Sequence, residues 1–259
     1  MKYVVPKFAL YVTQTSSNIS ASPQCIGMTN KAVIILYEQN LPAGTLAVAS
    51  ALRTWSAMNQ FYLSGRTALA LHLGHRQSKD LDFFTRDPRE TLPALPKMDT
   101  MLQQFSSVQW ELRTADQIQF RLNNVSVTLL AYPFPHHFPY HVWCGLAVAD
   151  ARDVAVQKAY TIGRRAQARD YLDIHAVLTH NVISFNDIIQ IAQETYGEAF
   201  SARLFLQQLT YTKDLPDRDT ALSLLTTPQS FETITEDLIR QVQTWATRRF
   251  QPPTRGPRL

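Results

Sequence analysis

The sequence predicts an α/β (α+β) fold, with a mixed sheet flanked by helices and a helical domain after it. Three observations carry that expectation. Short β-prone runs alternate with helical runs over residues 31–149, and beyond Asp150 the pattern becomes wholly helical. At 45% apolar residues over 259 positions, the chain has enough material for a packed core in one large or two modest domains. Residues 61–84, FYLSGRTALALHLGHRQSKDLDFF, compress a strand, a glycine turn, a helix and an Asp-x-Asp strand into one unit.

Residues 1–30 read as an N-terminal extension. Lys2 and Lys7 flank an apolar stretch that Pro6 interrupts, and 16–23 is polar and turn-rich, which makes a poor secretory signal. Apolar residues then recur at helical spacing over 31–39 and 45–57, separated by the breaker Leu41-Pro42-Ala43-Gly44, so two helices are expected to cover the sheet. Phe61-Tyr62-Leu63 reads as a strand, Gly65 as a turn, and 67–73 as a helix closed by Gly74. Asp80 and Asp82 alternate with Leu81 and Phe83 on the next strand, which sets both carboxylates on one face.

A helical or irregular stretch is expected from Asp87-Pro88 to about residue 105, then strands over 108–112, 118–122 and 126–132. The Asn123-Asn124 pair suits a tight hairpin between the last two, because asparagine tolerates positive φ. The run 132–141 is too rich in proline to continue a central strand and reads as a loop packed by its own aromatics; its His136, His137 and His141 lack a flanking Cys, Asp or Glu that would favour a metal. Helices are expected over 151–162, 167–178, 185–196, 199–208 and 234–246, the third opened by a Ser184/Asp187 capping pair. The domains are therefore an extension (1–30), an α/β domain (31–149), a helical domain that completes the site (150–247) and a basic, disordered tail (248–259) carrying Arg248, Arg249, Arg255 and Arg258.

No run of 18 residues is free of polar interruption, so no spanning helix is expected and a cytoplasmic location is the default. Cys25 and Cys144 are too far apart and too few for a disulfide framework or a zinc ribbon. The net charge of +4 is modest, but the tail and the segment 164–169 concentrate arginine in a way compatible with an RNA backbone.

The chemistry centres on residues 61–84. A turn at Gly65 ahead of a helix aims unpaired backbone N–H groups at an anion. Paired carboxylates at Asp80 and Asp82 can hold Mg²⁺ or Mn²⁺, and Mg²⁺ takes phosphate oxygens and waters as its other ligands, so the unit fits a nucleoside triphosphate. The unit resembles the minimal nucleotidyltransferase core and is similar to the AbiEii/AbiGii toxin family, in which Gly-Gly-Thr-Ala-Leu leads into His-Arg-x-Ser-x-Asp-x-Asp-Phe-Phe. The matching residues are Gly65, Thr67, Ala68, Leu69, His75, Arg76, Ser78, Asp80, Asp82, Phe83 and Phe84. Arg66 stands where the family commonly has its second glycine, and can either add a phosphate ligand or obstruct close backbone approach.

A second signature follows at 150–178, where Lys158, Arg169, Asp170 and Asp173 match the family's Lys and Arg-Asp-x-x-Asp. The Lys158 stem can follow an apolar helix face and deliver its ammonium to a cleft. Asp170 can hold that lysine, accept a proton or complete a metal set; a structural ion-pair network is the bland alternative. The resemblance is clear over 61–178 and fades by about 215. It implies transfer of a nucleoside monophosphate from a triphosphate to an acceptor hydroxyl. Asp80, Asp82, Lys158 and Asp170 would be the catalytic residues, with Asp80 and Asp82 on the metal, and Gly65, Arg66, Thr67, His75, Arg76 and Ser78 would bind nucleotide. It further implies RNA, particularly a tRNA 3′ end, as acceptor, a toxin role in toxin–antitoxin or phage-defence systems, and a cognate antitoxin partner. Where polymerase-like relatives carry a third carboxylate, the strand 126–132 offers Ser126 and Thr128. Arg66 and that gap leave one rival, a catalytically impaired nucleotide- or RNA-binding relative; a phosphotransferase on the same scaffold, which would need a similar site, is the other.

Overall fold

The computed structural model describes residues 27–29, 32–165 and 167–250. Strands β1 (Gly27–Thr29) and β2 (Ala32–Ile34) form a small antiparallel ribbon. The helix expected over 31–39 is therefore absent: Val33, Ile34 and Ile35 are β-branched and favour extended backbone, and only a 3₁₀ turn at Glu38–Asn40 follows. Helix α1 (Ala43–Leu52) starts at the predicted breaker and ends earlier than expected, giving way to a second 3₁₀ turn at Ser56–Gln60.

The predicted unit then appears in order, as strand β3 (Phe61–Ser64), helix α2 (Gly65–Leu73) and strand β4 (Leu81–Thr85). The stretch after Asp87 is mostly irregular, with a 3₁₀ turn at Leu95–Lys97 and the short helix α3 (Asp99–Leu102). Strands β5 (Val108–Arg113), β6 (Gln117–Leu122) and β7 (Val125–Leu130) form a meander whose β6–β7 turn holds Asn123 and Asn124 at φ 46° and 69°. Strands β8 (His141–Trp143) and β9 (Leu146–Val148), which sequence reasoning missed, form a hairpin after the proline-rich loop.

The helical half comprises α4 (Ala151–Ile162), α5 (Ala168–Thr179), α6 (Phe185–Tyr196), α7 (Ala202–Thr210), α8 (Arg218–Leu222) and α9 (Phe231–Phe250). Asp150 caps α4 and Ser184 caps α6, each accepting from a first-turn backbone N–H. Helix α9 continues past the expected start of the tail, and residues 251–259 lie outside the described residues, as do 1–26.

The seven strands β3 to β9 form one mixed sheet in the order β5-β6-β7-β4-β3-β9-β8. Central β4 pairs antiparallel with β3, Ser64 opposite Asp82, and parallel with β7, Asp82 opposite Thr128. Leu81, Phe83 and Thr85 are buried while Asp82 and Phe84 are only partly so, the alternation a half-buried strand requires. Helix α4 packs against α2 and α5, which brings the helical half onto the strand–helix–strand unit. The three loop histidines take separate partners: His136 pairs with Asp153, His137 with Thr195 and His141 with Asp150.

Candidate active site

Gly65 opens α2 at φ +63°, and a Cβ there would stand 3.0 Å from Asp82 Oδ2. Glycine is thus required twice, for the left-handed backbone and for the approach of helix to carboxylate. Ser64 precedes the helix but does not cap it, because its hydroxyl donates to Gln157 Oε1 on α4 at 2.5 Å. The first-turn N–H groups of α2 consequently receive no side-chain cap.

Asp80 and Asp82 flank Leu81 as expected. Burial, reinforced by the neighbouring Asp80 charge, raises the pKa of Asp82, against the pull of Arg66, a Thr128 hydrogen bond and Lys158. Gln157, which precedes Lys158 on α4, accepts from Ser64, the residue opposite Asp82, so the two sequence signatures meet in space. Arg66 lies on the first signature itself, its Nη2 2.9 Å from Asp80 Oδ2.

Lys158 is buried, its Nζ 2.6 Å from Asp170 Oδ1 and 2.6 Å from Asp173 Oδ2. Both aspartates are fully buried on α5. Burial alone would raise the pKa of Asp173, but Arg76 and Lys158, with hydrogen bonds from His75 and Arg76, hold it well below the ordinary carboxylate range. Arg76 Nε and Nη2 grip its two oxygens at 2.7 and 3.0 Å, and Nη1 donates to the Gln77 carbonyl. His75 Nε2 lies 2.9 Å from Asp173 Oδ1, and burial lowers the His75 pKa despite that contact.

Across this geometry the sequence matches a family model, "Nucleotidyl transferase AbiEii toxin, Type IV TA system", over residues 51–251. The chain belongs to the AbiEii nucleotidyl transferase toxin family. As an AbiEii member it is a nucleotidyltransferase. An uncharacterized protein of Aquifex aeolicus (strain VF5) is 26% identical over 160 residues, covering 60% of this chain and 75% of the relative. MenT4, a nucleotidyltransferase toxin from Mycobacterium tuberculosis H37Rv, superposes with a TM-score of 0.52 at 16% identity, covering 78% of this chain and 86% of that one, a likeness of fold.

Within the AbiEii frame, four residues expected to bind nucleotide have protein partners. Arg76 and His75 both contact Asp173, the partner of Lys158. Thr67 is fully buried, and its hydroxyl contacts Ser78 Oγ and donates to the Asp80 carbonyl, so Thr67 and Ser78 pin the start of β4 to α2. Gly65 lies against Asp82, and Arg66 against Asp80. Sequence reasoning missed Gln157, whose partner Ser64 lies 93 positions away; its only sequence signal was adjacency to Lys158. No helix among the described residues is long and apolar enough to cross a membrane.

Proposed function

We propose that the chain uses Asp80, Asp82, Lys158 and Asp170 to transfer a nucleoside monophosphate to an RNA hydroxyl, with a tRNA 3′ end as acceptor. One observation carries the reading: a buried lysine is held by two buried aspartates, and Gln157 beside it accepts from Ser64, which lies opposite Asp82 in the sheet. An ion pair serving stability alone gains little from burial, whereas a fixed ammonium beside a phosphate turn supplies charge stabilisation without reorganisation.

The donor set fits a divalent cation. Two carboxylates adjoin the turn, and Asp82 carries a proton affinity raised by burial and by Asp80, which a cation would relieve. Among the described residues no cluster of three or more His, Cys, Asp or Glu offers a complete protein cage, so phosphate oxygens and waters would complete the shell, as Mg²⁺ prefers. Asp80 and Asp82 would hold the ion, which would neutralise triphosphate charge.

The chain's own residues do the rest. Uncapped N–H groups of α2 receive phosphate oxygens beside Gly65. The acceptor hydroxyl attacks the α-phosphorus and gives up its proton to solvent, the bond to the bridging oxygen breaks, and pyrophosphate leaves. Lys158 stabilises the charge that develops at the reacting phosphoryl group, and Asp170 orients Lys158; its complete burial favours that part over direct exchange of a proton with the acceptor. Exposed Arg164 and Arg165 give an RNA backbone cationic contacts near α4 and α5. With family membership this supports a toxin role, with an antitoxin as partner, in a toxin–antitoxin or phage-defence setting in the cytoplasm.

Incubation of the full chain with total tRNA and nucleotides labelled at the α- or γ-phosphate tests the reading. Mg²⁺-dependent transfer of α-label is expected, with Asp80→Ala and Lys158→Ala each lowering it at least a hundredfold. Transfer of γ-label would identify a phosphotransferase, and binding without transfer an impaired relative.

A further inference from the structure

Serine is among the strongest helix N-cap residues, and an uncommitted serine ahead of a helix satisfies one of its free N–H groups. Ser184, Ser201 and Ser230 do so on α6, α7 and α9, accepting from the N–H of Asp187, Leu204 and Thr233. Ser64 holds the same place on α2, with the extended backbone a cap requires (φ −134°, ψ −160°), yet its side chain accepts from none of the α2 N–H groups. Its buried hydroxyl crosses instead to α4 and donates to Gln157 Oε1 at 2.5 Å. Gln157 precedes Lys158, so the helix that delivers the ammonium also takes the serine. The contact joins residues 93 positions apart and exists only when α4 is docked on the strand–helix–strand unit.

We propose that Gln157 is a positioning residue for the transfer reaction: by holding the Ser64 hydroxyl, it keeps the N–H groups of the α2 turn open for the substrate. The proposal rests on the transferase reading, in which those groups receive phosphate oxygens. A serine cap and an anion compete for the same donors, and a donor satisfied by Ser64 is lost to the phosphate. A neutral amide oxygen suits the task, because it accepts the hydroxyl proton without adding negative charge beside Asp82, which lies opposite Ser64. Seating of α4 therefore readies two parts of the site at once, the Lys158 ammonium and the bare turn at Gly65. Withdrawal of Gln157 frees Ser64 to cap α2 and close the turn.

Calorimetric titration of the α,β-methylene analogues of ATP, GTP, CTP and UTP into the full chain with Mg²⁺ tests this without turnover. For the analogue that binds most tightly, Gln157→Ala is expected to weaken affinity by about fivefold, the equilibrium cost of displacing a serine cap. Adding Ser64→Ala to that variant should recover most of the loss. Thermal melts without nucleotide should move the other way, the second substitution lowering the midpoint of the Gln157→Ala protein because it removes the cap. Loss of a packing contact alone predicts no rescue, since a further truncation could only add to the damage. Should Gln157→Ala fail to fold, Gln157→Leu keeps the volume, lacks the acceptor and reports the same pattern. No binding by the wild type, an affinity unchanged in the single variant, or a double variant binding no better than the single one overturns the proposal. The expected pattern without α-label transfer from any nucleotide leaves the hold on Ser64 standing and removes the transferase reading. Transfer of α-label with no rescue by Ser64→Ala does the reverse.

Discussion

Asp82 is held in a state it would not choose in water, because burial and the Asp80 charge favour its protonated form. Its folded pKa lies above the ordinary 3.8, so the cost of ionising it is absent below that value and grows as pH rises through the folded pKa. Asp82→Asn removes the cost permanently. The variant should melt higher than the wild type at pH 7 in EDTA, with the gap closing toward pH 4, while nucleotide and Mg²⁺ should raise the wild-type midpoint only. Thermal melts across that range check this, and a variant melting below the wild type at pH 7 would refute it. At this scale the sequence exposed the charges but not their partners. Arg76 and His75 follow a helix-ending glycine, where the helix dipole alone favours cationic side chains; that both reach Asp173, 97 and 98 positions on, is fixed only by packing.

Among the elements, the short path from β3 through α2 to β4 sets the site, and Gly65 is the point where its backbone closely approaches a site carboxylate. Alanine there would adopt φ near +63°, which costs about 1–2 kcal/mol for an L-residue, and would press its Cβ to 3.0 Å from Asp82 Oδ2. Gly65→Ala should therefore lose about that much stability in urea denaturation and nearly all α-label transfer, since Asp82 must yield. Unchanged activity would mean that the turn does not set the carboxylate. This unit was legible because its signals are local: glycine, a helical run and strict alternation. The hairpin of β8 and β9 was not, because three-residue strands are too short to show a period, and Cys144 and Gly145, the turn residues at φ 49° and 77°, follow a proline-rich run that reads as loop. The ribbon in place of the helix over 31–39 shows β-branched preference outweighing a spacing that fitted a helix by chance.

For the whole molecule, Asp173 is the tie between the two halves. It sits on α5, takes Arg76 from the loop after α2 and Lys158 from α4, and all three side chains are buried. Replacing it with asparagine strands the buried Arg76 and leaves Lys158 with Asp170 alone, a defect of about 3–5 kcal/mol. At roughly 2–4 °C per kcal/mol for a chain of this size, the melting midpoint should fall by about 6–20 °C at pH 7. Because the Asp173 pKa is depressed in the fold, its contribution is complete above 3.8 and is lost only as pH falls through the still lower folded value. The gap between wild type and Asp173→Asn should stay full down to about pH 4 and narrow below it. A single cooperative transition in both proteins is expected, because sheet and helices share one continuous core. If Asp173→Asn instead melts in two steps, with the α/β half surviving the helical half, the clamp would be local to the helices, and the link between stability and the position of Lys158 would fail.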